Sequence, residues 1–161
     1  MRLTRIEDMT IDTFPVTEKN RGQYEVCKEM LTDPGLYRLV FFHLPSPEGL
    51  HMKYAIWNYW LKRDLFSAAV TDFANDLVAA VRAGQIPWNR KKYRNPEVLM
   101  LDDLQHLAGK EATQEELYLL LKQRLEAGKL TVLFSQFSLT QLRGSMRDEL
   151  VDLLSMGAAE D

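Results

Sequence analysis

Short, wholly apolar runs separated by amphipathic stretches set the pattern of this chain. Leu36 to Leu44 contains Leu-Val-Phe-Phe, residues 98–101 read Val-Leu-Met-Leu, Thr131–Ser135 is a third run, and Leu65–Val70 is a weaker fourth. Runs of that length bounded by turn formers mark strands buried on both faces. Between them, apolar residues recur at helical spacing. A helix is predicted from near Asn20 to about Thr32, with Tyr24, Cys27, Lys28 and Leu31 along one stripe, stopped by Asp33-Pro34-Gly35. The rigid turn Pro45-Ser46-Pro47-Glu48-Gly49 leads into a helix from His51 to Arg63. Thr71 or Asp72 caps a helix over Phe73–Ala83, closed by Gly84. Residues 85–97 read as a loop with a helical turn over Asn89–Tyr93. A helix over Thr113–Ala127 follows, where Thr113 and Glu116 match a capping box and Gly128 ends it. The last helix covers about Ser145–Leu154, and residues 1–17 are mixed, with Ile11, Phe14 and Val16 among turn formers. Helices alternating with buried strands imply an α/β fold: a parallel sheet of about four to five strands, covered by helices on both faces, in one domain over 1–161.

Composition narrows the classes. A chain of 161 residues, 46% hydrophobic and 27% charged, can bury about 70% of its unfolded surface and needs no disulfide or metal to fold. One cysteine, Cys27, cannot pair within the chain, which fits a reducing compartment and a cytoplasmic expectation. No run reaches the length of a membrane span, and the N-terminus lacks a signal pattern. A net charge of −3 gives no global reason to bind nucleic acid. Such binding would rest on one basic, aromatic-bearing stretch, Arg90-Lys91-Lys92-Tyr93-Arg94 with Trp88 and Arg82 nearby. His43, His51 and His106 show no metal-ligand spacing, and no cofactor is expected.

The most specific stretch is 98–116, in which the buried run ends in Asp102 and Asp103. Paired carboxylates at the C-terminal end of a parallel strand suit a hydrated divalent cation in an open α/β sheet. The stretch resembles the Walker B strand and following loop of the AAA+ ATPase domain in the bacterial replication initiator DnaA family. The similarity extends to Asp72-Phe73-Ala74-Asn75-Asp76-Leu77-Val78, to Ala80-Val81-Arg82-Ala83-Gly84 and to Lys92-Tyr93-Arg94-Asn95. Ala55-Ile56 and Asn58, the entry segment Thr13-Phe14, Val16, Asn20-Arg21 and Tyr24, and downstream Glu126-Ala127-Gly128-Lys129, Leu133, Ser135, Leu142 and Gly157 follow it more loosely.

The departures carry the functional expectation. Anchored on Ala55-Ile56 and Asn58, the family's Gly-Leu-Gly-Lys-Thr phosphate loop falls on Ser46, Pro47, Glu48, Gly49 and Leu50. A phosphate cradle needs converging backbone N–H groups, a lysine and a hydroxyl. Here Pro47 removes a donor, and Gly49 and Leu50 take the lysine and hydroxyl positions. Glu48 adds a negative charge, whose repulsion of a phosphate charge at ~4 Å and an effective dielectric of ~20 costs about 4 kcal/mol. The sensor position is Gln136, and the family's arginine-finger tripeptide aligns with Asp152-Leu153-Leu154. Helical lid, second sensor arginine and C-terminal DNA-binding domain are also expected to be absent. The resemblance with these losses implies a pseudo-ATPase.

Each remaining candidate carries two readings. Asp102 and Asp103 either cap the next helix and pair with a lysine such as Lys110, or keep a magnesium ion. The resemblance implies single-stranded DNA contacts through Val78 and Lys110, with Ala112 at a second basic position, and the local stretch adds Arg82, Arg90, Lys91, Lys92 and Arg94. The alternative for that stretch is a solvated basic loop. Trp57 stands where the family has glycine, with Trp60 and Tyr54 beside it, and these either fill the core or anchor an interface. Strand 38–43 is expected to present an open edge unless residues 1–16 cover it. Two functions follow: a non-catalytic interaction module that modulates replication initiation by binding DnaA, a replicative helicase or itself, or a replication factor that binds nucleotide or single-stranded DNA.

Overall fold

A computed structural model describes residues 5–85 and 91–159. Its elements, in chain order, are α1 (Arg21–Thr32), β1 (Leu39–His43), α2 (Glu48–Tyr59), β2 (Leu65–Ala69), α3 (Val70–Arg82), α4 (Lys91–Arg94), β3 (Val98–Asp102), α5 (Glu111–Glu126), β4 (Leu130–Ser135), α6 (Leu139–Arg143) and α7 (Asp148–Ser155). Short 3-10 turns occupy Ile6–Asp8, Pro34–Leu36 and Leu104–Leu107. All four strands are parallel in the order β1-β4-β3-β2.

Alternation along each strand divides the core in two. Leu39, Phe41, Leu99, Leu101 and Leu133 face α3, α5 and α7, joining Phe73, Leu117, Leu121, Leu150 and Leu154. Val40, Phe42, Met100, Val132 and Phe134 face the other way, onto Cys27, Met30, Met52 and Ile56 of α1 and α2 and onto Trp60 just after α2. Both faces are covered, so the strands read as continuous apolar runs. Burial pushes the Cys27 thiol up to about 12, so it stays protonated as a small core residue.

Several boundaries differ from the pattern-based reading. α2 starts at Glu48, three residues before His51, because the Pro45 and Pro47 carbonyls accept from the Gly49 and His51 amides and open the helix early. α3 begins at Val70, so neither Thr71 nor Asp72 caps it. The Thr113–Glu116 capping box does not form: α5 begins at Glu111, and Thr113 is buried inside it. The capping box that does form is Ser138 with Gln141, at the start of the unanticipated α6.

The β1 edge is capped over its upper half, but not by residues 5–16. Residues 6–14 run along α2, where Asn58 Nδ2 donates to the Ile6 and Met9 carbonyls and His51 Nε2 meets Thr10 O at 2.9 Å. The outward groups of β1 are taken instead by the segment after α7. Phe41 N donates to Gly157 O at 2.7 Å and Ala159 N to Phe41 O at 2.9 Å. A Cβ on Gly157 would stand 2.4 Å from Leu39 O, so the segment reaches the strand only as glycine. At the top of β1 the buried Gln23 carboxamide does the same work, donating to His43 O at 2.7 Å and accepting from His43 N at 2.8 Å. The strand that looked open is capped along its upper half.

Candidate functional site

In an open parallel sheet the ligand crevice lies beyond the C-terminal strand ends, where chain order reverses. Here that place is the top of β1 and β4, with β3 alongside. It holds a cleft of about 130 Å³ lined by Leu44, Ser46, Gly49, Leu50, Lys53, Asp102, Asp103, Phe134, Ser135 and Gln136. Drug- and cofactor-sized sites occupy about 300–1,000 Å³.

The β1–α2 corner is folded in on itself. Gly49 N–H donates to Pro45 O at 3.2 Å, and His51 N–H to Pro47 O at 3.0 Å. Leu44 O sits so close over Gly49 that a Cβ there would stand 2.3 Å from it. Two amides that could face an anion are thus engaged inside the turn. Ser46 and Pro47 are exposed, Glu48 is half-buried and Leu50 points outward at 43% exposure.

Asp102 pairs with a residue that carries no motif in the sequence. Lys53 Nζ lies 2.8 Å from Asp102 Oδ2, with both side chains 18% exposed. The same ammonium stands 5.0 Å from the Tyr54 ring. Asp102 Oδ1 is buried and accepts no hydrogen bond among the described residues. Lys110, the expected partner, is exposed at the start of α5 with no ion pair among the described residues. Lys53 is the one lysine or arginine on α2, a full turn beyond Gly49, and that was the available signal. Asp103 adopts a left-handed φ of 60°. Rather than capping the following turn with its side chain, it accepts from Gln105 Nε2 at 3.3 Å. Gln105 Oε1 in turn accepts from Gln136 N at 3.1 Å, tying the β3 and β4 ends together. Leu153 is 8% exposed within the core, and Asp152 pairs with Arg143 at 2.9 Å. Among the described residues, no group of three or more His, Cys, Asp or Glu side chains stands together as a metal site.

The basic stretch is dispersed. Arg90 and Trp88 lie outside the described residues. Tyr93 is 2% exposed, wedged edge-on against Phe66 and Phe73, with its hydroxyl donating to Asp76 Oδ2, so it cannot stack on a base. Lys92, exposed, pairs with the same carboxylate at 2.7 Å, and Arg94 is half-buried, while Lys91 and Arg82 are exposed. Arg124, near the far end of α5, donates to the Tyr93, Arg94 and Pro96 carbonyls, which places this stretch at one end of that helix. Lys110 is at the other, some 20 Å away along the axis by 1.5 Å per residue. Val78, 47% exposed on α3, completes the expected set. Of the aromatic trio, Trp60 is 4% exposed in the core under Arg63, which takes it out of any interface patch, while Trp57 and Tyr54 are half-buried.

Comparison with known proteins agrees with this geometry. The family model described as the bacterial DnaA ATPase domain matches residues 6–161. A chromosomal replication initiator protein DnaA from Rippkaea orientalis is 36% identical over 159 residues, covering 94% of this chain and 35% of its own length. Domain III of the Thermotoga maritima DnaA superposes with a TM-score of 0.86 at 28% identity, over 99% of this chain and 68% of that one. A replication initiator DnaA bound to AMPPCP and single-stranded DNA superposes at 0.83 and 29% identity, over 95% of this chain and 49% of its own. The chain spans about a third of the length of the curated relatives it matches, 35% for the R. orientalis protein. Among the described residues, no helix is long and apolar enough to cross a membrane. The sheet order, the two-sided helical cover and the match over nearly every residue place this chain in the bacterial DnaA ATPase-domain family.

Proposed function

We propose that this chain is a non-catalytic DnaA-type domain that works as a protein-interaction module in the regulation of replication initiation. The observation that carries the reading is the Lys53–Asp102 pair, because it supplies from within the chain the positive charge that an ATPase takes from a metal. With the Gly49 and His51 amides engaged and Leu44 O lying against Gly49, two corner donors are withheld from a triphosphate in a cleft of about 130 Å³. Leu153, buried where the family's finger residue aligns, offers a neighbouring subunit no charge. An internal cation at this carboxylate removes the need for nucleotide there, which suits a constitutive binder of an initiator or helicase. Titration with labelled ATP and magnesium tests it: binding weaker than millimolar is expected, and anything tighter removes the reading.

Replacing Lys53 with methionine leaves the Asp102 carboxylate without its cation. A loss of about 2 kcal/mol at neutral pH is expected, given that the pair is mostly rather than fully buried. Asp102→Asn in that background recovers part of the loss, a non-additivity of about 1 kcal/mol read by urea unfolding.

A second reading, single-stranded DNA binding, is favoured by the exposed Val78, Arg82 and Lys91 and by the likeness to the DNA-bound relative. Salt-dependent oligonucleotide affinity that disappears in an Arg82→Ala, Lys91→Ala variant would promote it over the first.

A further inference from the structure

β2 ends the sheet on the side away from β1, and among the described residues no strand pairs with its outer rim. Val98 N donates to Asp64 O at 3.0 Å, which fixes the parity: Asp64, Phe66 and Ala68 turn their backbone groups toward β3. Leu65 and Ser67 therefore direct both N–H and C=O outward, as Ala69 does its N–H. Among the described residues no group meets these atoms. All five residues of the strand are half-buried. Natural edges are usually blunted by proline, lysine, a bulge or a covering segment, as Gly157–Ala159 and Gln23 do on the β1 side. The run Leu65-Phe66-Ser67-Ala68-Ala69 has no such device, and its last three side chains are small enough to admit a close neighbour.

The ends of the strand carry opposite net charge. Exposed Lys62, Arg63 and Asp64 precede it, one positive charge in sum, and exposed Asp72 follows it. Lys62 and Asp72 have no ion pair among the described residues, while Arg63 lies over the Trp60 ring and stands 3.8 Å from Glu97. Two copies in parallel would set like charge beside like. Reversed about Ser67, each places its cations at the other's Asp72.

We propose that two copies of this chain pair antiparallel through β2, across a two-fold axis at Ser67, forming one sheet through both molecules. Ser67 of each copy exchanges both backbone hydrogen bonds with its symmetry mate, and each Ala69 N–H donates to Leu65 O of the other copy. The arrangement is isologous, so it closes at a dimer. It needs nothing from the β1–α2 corner and stands or falls apart from nucleotide binding.

Analytical ultracentrifugation over a micromolar-to-millimolar range tests it. The wild-type chain is expected to shift from monomer to dimer with concentration. Ser67→Pro removes an outward N–H that no internal bond uses, and should leave a monomer with unchanged circular dichroism. Asp72→Lys, on an exposed site, should weaken the dimer tenfold or more, and adding Lys62→Asp and Arg63→Asp should restore it. A wild-type chain that stays monomeric at millimolar concentration overturns the proposal. So does a dimer indifferent to both Ser67→Pro and Asp72→Lys, or one formed only with a strand from a different protein.

Discussion

Arg124→Met is expected to cost about 4 kcal/mol of stability, lowering the unfolding temperature by roughly 8–16 °C for a domain of this size. The reason is the number of groups that one side chain satisfies. Arg124 is 1% exposed and donates to Thr131 Oγ1 at 2.7 Å, to Leu130 O at 2.8 Å, and to the carbonyls of Tyr93, Arg94 and Pro96 at 2.9–3.1 Å. Burial lowers its pKa to about 10, with Asp64 opposing, so it stays a cation at neutral pH although no carboxylate among the described residues pairs with it. Methionine fills much of the volume but leaves those buried oxygens without donors. Arg124→Lys should recover less than half of the loss, because a point-like ammonium cannot span oxygens contributed by two separate segments. Thermal unfolding of the three proteins checks both statements. Local exchange should also rise at residues 91–97, whose carbonyls Arg124 ties to the start of β4.

Gly49→Ala is expected to cost about 2–3 kcal/mol, a large effect for one methyl group in a helix, where alanine is normally favoured. The new Cβ would stand 2.3 Å from Leu44 O, a backbone atom that moves only if the β1–α2 corner opens. Gly144→Ala is the matched control. Gly144 ends a helix at φ −74° with nothing within 4 Å of where a methyl group would stand, so the change should alter stability by less than about 0.5 kcal/mol. Chemical denaturation separates the two, and hydrogen exchange at Gly49 and His51 reports whether the corner has opened.

The architecture was legible because both-face burial leaves a plain trace: every strand run was found, and strand ends moved by at most a few residues. Helix starts were less legible, since they depend on which carbonyl or side chain reaches the first turn. Gln114 shows why. It is 1% exposed, donates to Leu107 O and accepts from Arg147 N, so tertiary contacts rather than Thr113 hold the beginning of α5. The site was legible by half. Asp102 announced itself at the end of an apolar run, but its partner lies 49 residues away and carries no local pattern. The capped β1 edge escaped for the same reason: a carboxamide on α1 and three residues after α7 act on the strand from a distance. Tyr93 is the opposite case: an aromatic among basic residues reads as a stacking platform, and it is a core residue.

The most direct test follows the Gly49 amide resonance of the isotopically labelled protein during addition of ATP with magnesium. An N–H engaged with Pro45 O and overhung by Leu44 O should not move through millimolar nucleotide. A saturable shift with micromolar affinity, at Gly49 and its neighbours on α2, would mean that the corner opens to receive phosphate.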